Sequence, residues 1–301
     1  MRIHDDLATP ALDLEPAAPF VGPFAGRQFL SAWWGCVPSG GELQVVETSD
    51  AALVVTRGPD AVRFAGASHL TDYHAPLGAG AVDLIRQYAL AEDPGTRFEF
   101  DSLPREAADV VTKGLEAAGL VVTEAEHEVA AVLPLPGDPD EYLAGLGKKQ
   151  RHEVRRKRRR FVEVLGTARF AGGTADDFDS FVGMHRAADG EKGEFMTDAY
   201  AEFFRSLLDD AGARLDVLRG DGDVPVAAAI GFEDEDCYYL YNSAYDPGMA
   251  DASPGIVLVT GLIDRAIDAG KTRFDFLKGD EVYKFRLGAV ARPLYLVEAA
   301  T

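Results

Sequence analysis

The chain has 301 residues, 47% of them hydrophobic and 27% charged, and 30 Lys and Arg against 50 Asp and Glu give a net charge of −20. This is the composition of a globular protein long enough for two domains, and no apolar run approaches the roughly 20 residues of a membrane-spanning helix. A body this acidic repels nucleic acid and anionic membranes in general.

Residues 1–20 are rich in Ala, Pro and acids, with Asp5 and Asp6 early. They predict a flexible tail without a secretory signal. Cys36 and Cys237 are the two cysteines and stand far apart. With no disulfide framework and no metal-ligand spacing, a reducing, cytoplasmic setting and no bound metal are the expectations. His69 and His74 are five residues apart, which is not a helical metal pair.

A helix is predicted over 25–35, then strands at 43–47, 52–57 and 61–65. Arg57-Gly-Pro-Asp60 turns the last two into a hairpin. A helix over 80–91, a strand at 96–100, a helix over 104–118 stopped by Gly119 and a strand near 128–133 complete the first half. The Pro/Gly-rich stretch 134–139 reads as a linker. The second half opens with one predicted helix over 139–165, its apolar stripe eked out by the stems of Gln150 and Lys157. Helices at 175–188 and 198–211 and strands at 214–219, 224–232 and 236–245 follow. The chain then runs through a helix ended by Gly270, a strand carrying Thr272-Arg-Phe-Asp-Phe276 and a closing strand at 293–298.

Two features stand out from this order. Residues 148–160 hold nine basic residues and one acid, a local +8 that leaves −28 on the rest of the chain. Three readings of this run stand open: a solvated helix face, a site for an anionic substrate, or a contact for RNA. The second feature is an internal echo. Thr96-Arg-Phe-Glu-Phe100 returns as Thr272-Arg-Phe-Asp-Phe276, each copy after a glycine-containing loop and an apolar helix. Loop, helix and strand in the same order twice point to a duplicated α/β unit.

The helix after residue 252 is the most informative segment. Ser253 reads as an N-cap, Pro254 suits the first helical position, and Gly255 lets a ligand approach the backbone. Such a start can hold a phosphate on its free N–H groups; an ordinary well-capped helix is the alternative. Phe274-Asp-Phe276 and then Gly279-Asp-Glu-Val-Tyr-Lys284 follow, with Tyr283 and Lys284 expected in a polar loop beyond the strand end.

Taken together, the basic helix start, the strand Tyr238-Tyr-Leu-Tyr-Asn-Ser-Ala-Tyr245, Ser253-Pro-Gly255 and the Gly279-to-Lys284 segment resemble the GNAT acyltransferase superfamily. The closer resemblance is to its CelD/BcsL-like, FemAB-related branch, and His69-Leu-Thr-Asp-Tyr73 looks like the Asp-Tyr element of that branch's first half. The resemblance implies an α/β fold of tandem GNAT-like units, each a mixed, mostly antiparallel sheet flanked by helices. It places a degenerate unit at 21–136 and a working unit at 137–301. It implies transfer of an acyl group from acetyl-CoA or another acyl-CoA to an amine or hydroxyl, on a cell-envelope saccharide or a small metabolite. The FemAB alternative takes an aminoacyl group from tRNA, which residues 148–160 would contact. A non-catalytic module with a decayed site is a third reading.

Carried onto this sequence, the resemblance assigns the donor's phosphate to Ser253, Gly255 and Ile256, and the strand edge beside the donor to Asn242, Ser243 and Tyr245. Only Gly255 stands where the familiar GNAT loop, Gln/Arg-x-x-Gly-x-Gly/Ala, has two glycines. Lys284 is the expected oxyanion stabiliser and Tyr283 the acid for the leaving thiolate, with Asp280 and Glu281 as candidate bases. Asp275, alternating with Phe274 and Phe276, either orients a substrate amine or caps the sheet edge. His185 is a candidate substrate contact, followed by Gly190-Glu-Lys-Gly-Glu-Phe195 as a flexible loop.

Overall fold

Alternating apolar residues make the strands, and apolar residues at helical spacing make the helices that cover them. The structure, a computed structural model, describes residues 1–37 and 40–301. It divides into two units: residues 1–130 together with 292–301, and residues 131–291.

The first unit contains β1 (Arg2–His4), α1 (Arg27–Cys36), β2 (Glu42–Glu47), β3 (Ala52–Arg57), β4 (Val62–Phe64), α2 (Ala81–Ala91), β5 (Arg97–Pro104), α3 (Arg105–Ala117) and the start of β6 (Thr123–Pro134). Its strands run in the order β1-β2-β3-β4-β5. All are antiparallel except β4 and β5, which are parallel through Val62 and Phe98. The N-terminal segment, expected as a flexible tail, contains a paired strand and a buried residue. Arg2, Ile3 and His4 pair with Glu47, Val46 and Val45, and Leu12 is buried.

The second unit follows with α4 (Pro139–Gly145), α5 (Lys148–Leu165), β7 (Arg169–Gly172), α6 (Ala175–Arg186), α7 (Glu191–Phe195), α8 (Asp198–Asp210), β8 (Arg214–Arg219), β9 (Pro225–Glu233), β10 (Cys237–Tyr245), α9 (Pro254–Asp268), β11 (Arg273–Lys278) and α10 (Val282–Arg286). Strand β12 (Val290–Ala300) closes the chain, and its residues from Arg292 onward belong to the first unit, antiparallel to β5. The second unit's strands run β11-β10-β9-β8-β7, antiparallel except for β10 and β11. Each unit is therefore a mixed, mostly antiparallel sheet with helices.

The duplicated order is visible in these pairings. In both units a helix leads into an Arg-Phe-acid-Phe strand that lies parallel to the strand before that helix. The core of the second unit gathers Val154 and Phe161 of α5, Leu258, Leu262 and Ile263 of α9, and Phe274 and Phe276 of β11. The single helix predicted over 139–165 is two. Leu146 is extended (ψ 149°) and Gly147 follows with ψ 149°, so the chain breaks there and Leu146 turns into the core. The loop expected at 190–195 contains the short helix α7.

Candidate functional site

The site begins where two parallel strands stop pairing. The register of β10 with β11 runs from Cys237 opposite Arg273 to Tyr239 opposite Asp275, while β10 continues alongside β9 as far as Tyr245. Just past the last registered pair, β10 has an irregularity between Leu240 and Asn242. In β11, Leu277 sits at φ +60°, a left-handed conformation that costs a non-glycine residue about 1–2 kcal/mol. Asp275 holds that turn: its Oδ1 accepts the Leu277 N–H at 2.8 Å, and both residues are buried. Of the two roles expected for Asp275, the structure shows its carboxylate bonded to its own strand. A bulge on one strand and a left-handed residue on the other end the ladder at the same level.

Beyond that level lies the start of α9. A 3-10 turn, Pro247–Ala252, leads in, and Ser253 donates its N–H to Ala250 O at 2.9 Å. Ser253 occupies the N-cap position with φ 54° and ψ 45°, and its side chain makes no capping bond. The expectation of a side-chain cap is thereby overturned. Such a cap needs extended backbone, and here the chain must twist left-handed to pass from turn to helix. Pro254 fills the first helical position, and Val257 is the residue whose N–H reaches Ser253 O, at 3.2 Å. The amides of Gly255 and Ile256 precede that first bond, at the positive end of the helix.

A cavity of about 300 Å³ opens at this start. Ser253, Pro254, Gly255, Ile256 and Val259 line it from α9, with Ala250 from the 3-10 turn, Ser243 and Tyr245 from β10, Tyr283 from α10 and Lys157 from α5. A methyl group on Gly255 would stand 3.1 Å from the Tyr245 ring, so the glycine permits that close approach. Of the residues expected in the site, the structure brings Ser243, Tyr245, Ser253, Gly255, Ile256 and Tyr283 together here. Lys157 was read from the sequence as filler of an apolar stripe and as one of the nine basic residues of 148–160, without being singled out for the site.

Tyr283 is half-buried, edge-on to Phe276 at 6.2 Å, and burial, with Glu281 second, pushes its phenol up to about 12. It is protonated throughout the neutral range. Lys284 is 3% exposed. Its Nζ donates to Lys278 O at 2.5 Å and Gly279 O at 3.3 Å, and pairs with Glu281 Oε2 at 2.9 Å. Its ammonium thus ties the end of β11 to α10. Tyr283 and Lys284 stand on this short helix, where a polar loop was expected. Asp280 and Glu281 are exposed in the turn before it. Gly279, at φ +110°, fits under this tie because a side chain there would meet Glu281 and Lys284.

His185 and Asn242 meet on another side of β10. His185 on α6 is 2% exposed, with Nε2 2.5 Å from Asn242 Oδ1 and its ring edge-on to Phe181 at 4.9 Å. Asn242 follows the β10 irregularity, so this contact ties α6 to the distorted part of the strand.

The basic run divides by partner. Arg158 bonds Thr260 O at 3.0 Å and Thr260 Oγ1 at 3.2 Å and pairs with Asp264 at 2.7 Å, which clamps α5 to α9. Arg151 donates to the carbonyls of Ala144 and Leu146, and Arg156 makes a two-point pair with Glu153. Lys148, Lys149, Arg155 and Arg159 are exposed. Among the described residues, no group of three or more His, Cys, Asp or Glu is placed to hold a metal, and no helix is long and apolar enough to cross a membrane.

The model of the family described as "Acetyltransferase (GNAT) domain" matches residues 148–285, within the second unit. Solved structures share the fold across the chain at low identity. A conserved protein of unknown function from Bacteroides thetaiotaomicron VPI-5482 is 13% identical, with all of both chains covered and a TM-score of 0.69. FemX is 11% identical over 98% of this chain and 97% of its own, TM-score 0.63. L-PGS from Bacillus licheniformis is 14% identical over 94% and 92%, TM-score 0.58. No curated protein sequence matches the chain.

Proposed function

We propose that the protein transfers an acyl group from an acyl-CoA thioester, with acetyl-CoA the simplest donor, to an amine or hydroxyl acceptor. The observation that carries this reading is the cavity at the start of α9, where the Gly255 and Ile256 amides and Lys157 converge in a chain of net charge −20. Helix-start amides and an ammonium suit a pyrophosphate, and the end of the β10–β11 ladder leaves strand backbone available to a pantetheine arm. The GNAT-type match over the same residues supports it.

When bound, the donor supplies an activated acyl group on sulfur. The chain's own part is to bind, orient and move protons. Ser253, Gly255 and Ile256 hold phosphate; Ser243 and Tyr245 flank the donor along β10. Asn242, held by His185, fixes the distorted strand. Tyr283 holds its proton at neutral pH, and gives it to the departing thiolate. Lys284 acts as a positioning residue, fixing α10 and with it Tyr283. Asp280 and Glu281, exposed beside Tyr283, are the bases within sequence reach of the acceptor.

In this reading the second unit holds the single donor site. The start of α2 also borders a cavity, of about 560 Å³, but an acidic side chain stands at its N-cap. Gly80 N–H donates to Asp50 O at 3.3 Å, the Asp50 carboxylate packs against Gly80, and Gly78 N–H donates to Glu15 O at 2.8 Å. A carboxylate at a helix N-terminus answers the same dipole a phosphate would.

The test is to offer acetyl-CoA and aminoacyl-tRNA side by side with a panel of amines and hydroxyl compounds. Release of free CoA thiol with acyl transfer is the expected outcome. Transfer from the tRNA alone would replace this reading with the FemAB type, and neither transfer nor CoA binding would leave a binding module.

A further inference from the structure

We infer that Lys157 recognises the donor's pyrophosphate and is the residue by which the basic helix sets donor specificity. The inference rests on the acyl-CoA reading above. Val154 and Phe161 turn one face of α5 into the core, and Lys157 stands beside that face with a quarter of its side chain exposed. The Arg158 clamp to Thr260 and Asp264 fixes α5 against α9, so the neighbouring lysine is held at the helix start without needing to be ordered by ligand.

Two further observations give its ammonium an external task. Glu153, one turn earlier, is the natural i, i+4 partner, but both its oxygens are engaged by Arg156, at 2.7 and 3.0 Å. Lys157 Nζ stands 3.9 Å from Glu153 Oε1, outside hydrogen-bond range. Among the residues lining the cavity, Lys157 is the one cation and there is no carboxylate, although acids outnumber bases 50 to 30 in the chain. A cavity with no acid in its lining, bordered by one lysine and by Gly255 and Ile256 of the helix start, takes a doubly charged pyrophosphate bridge better than a neutral group.

The experiment measures dissociation constants of wild type, Lys157→Gln and Arg159→Gln for acetyl-CoA, its 3′-dephospho form and S-acetyl-pantetheine. Lys157→Gln is expected to weaken acetyl-CoA and the dephospho form each about tenfold, as one charge-assisted bond is lost, and to leave acetyl-pantetheine unchanged. Arg159→Gln, exposed on the same helix, is expected to change none of them more than about twofold. Wild type that binds acetyl-CoA with Lys157→Gln binding it equally well would overturn the assignment while the donor reading stands. A penalty that disappears with the dephospho form, or extends to acetyl-pantetheine, would overturn it also. Wild type that binds no acetyl-CoA would overturn the donor reading itself.

Discussion

Asp275 accepts the backbone N–H of Leu277 at 2.8 Å, and Leu277 is held there at φ +60° with 1% of its surface exposed. Through this pair a buried carboxylate shapes the strand that bounds the site. Replacing Asp275 by Ala strands a buried N–H and is expected to cost about 1–3 kcal/mol. Asp275→Asn keeps an acceptor oxygen and should recover most of that in urea denaturation. Equal stability of the Ala variant and wild type would show that the turn stands without the bond.

Ser253 holds the same left-handed conformation at an accessible position. Ser253→Gly is expected to melt no lower than wild type, because relief of roughly 1 kcal/mol of strain offsets the greater freedom of unfolded glycine. Ser253→Val should fall by about 1–2 kcal/mol, since a β-branched residue fits that region poorly. Thermal melts of the pair check both.

Gly255→Ala sets a methyl group 3.1 Å from the Tyr245 ring, which must give by a few tenths of an ångström. Tyr245 is exposed and able to move, so the fold is expected to survive, helped by alanine's better helix propensity. The cavity wall shifts, however, and KM for the thioester donor should rise about tenfold with little change in melting temperature. A melting temperature that collapses along with affinity would locate the glycine's role in folding.

The Tyr283 phenol is raised to about 12 from the usual 10 by burial first and Glu281 second. The folded state therefore binds its proton more tightly than the unfolded chain. That contribution to stability is fully present below pH 10 and is lost as the pH rises towards 12. Tyr283→Phe should flatten its part of the alkaline unfolding profile. It should also lower kcat by about 100-fold or more if the phenol is the acid; an unchanged kcat would remove that role.

With the Asp50 carboxylate at the start of α2, calorimetric titration of the whole chain with acetyl-CoA is expected to give one site. Two sites of similar affinity would show that the first unit also takes the donor.

Much of the fold was legible because its long elements carry clear periodicity. Helices α1, α2, α3, α6, α8 and α9 and strands β2 to β4 and β8 to β10 lie within a few residues of their predicted bounds. Elements too short to show a period, β1, β7 and α10, were not. The break between α4 and α5 was missed because Leu146 continues the apolar stripe, and only the flanking glycines hint that the chain turns there. At the site, Ser253, Gly255 and Ile256 were legible because a helix start is contiguous in sequence. Lys157 was not, since its neighbours come from distant elements and its spacing is that of a packing residue. Asp275 and Lys284 look reactive by residue type. Their partners are the backbone of Leu277, Lys278 and Gly279, which no side-chain pattern reveals.

The strand β12 lies against β5, Leu294 opposite Pro104 and Ala300 opposite Arg97, with Leu294 and Val297 fully buried. On a ribosome these residues emerge after every residue of the second unit. The first unit therefore cannot close in the order of its synthesis. Through most of translation β5 presents a bare edge, the kind that recruits other chains. For this protein, maturation of the N-terminal half waits on residues made only after the second unit.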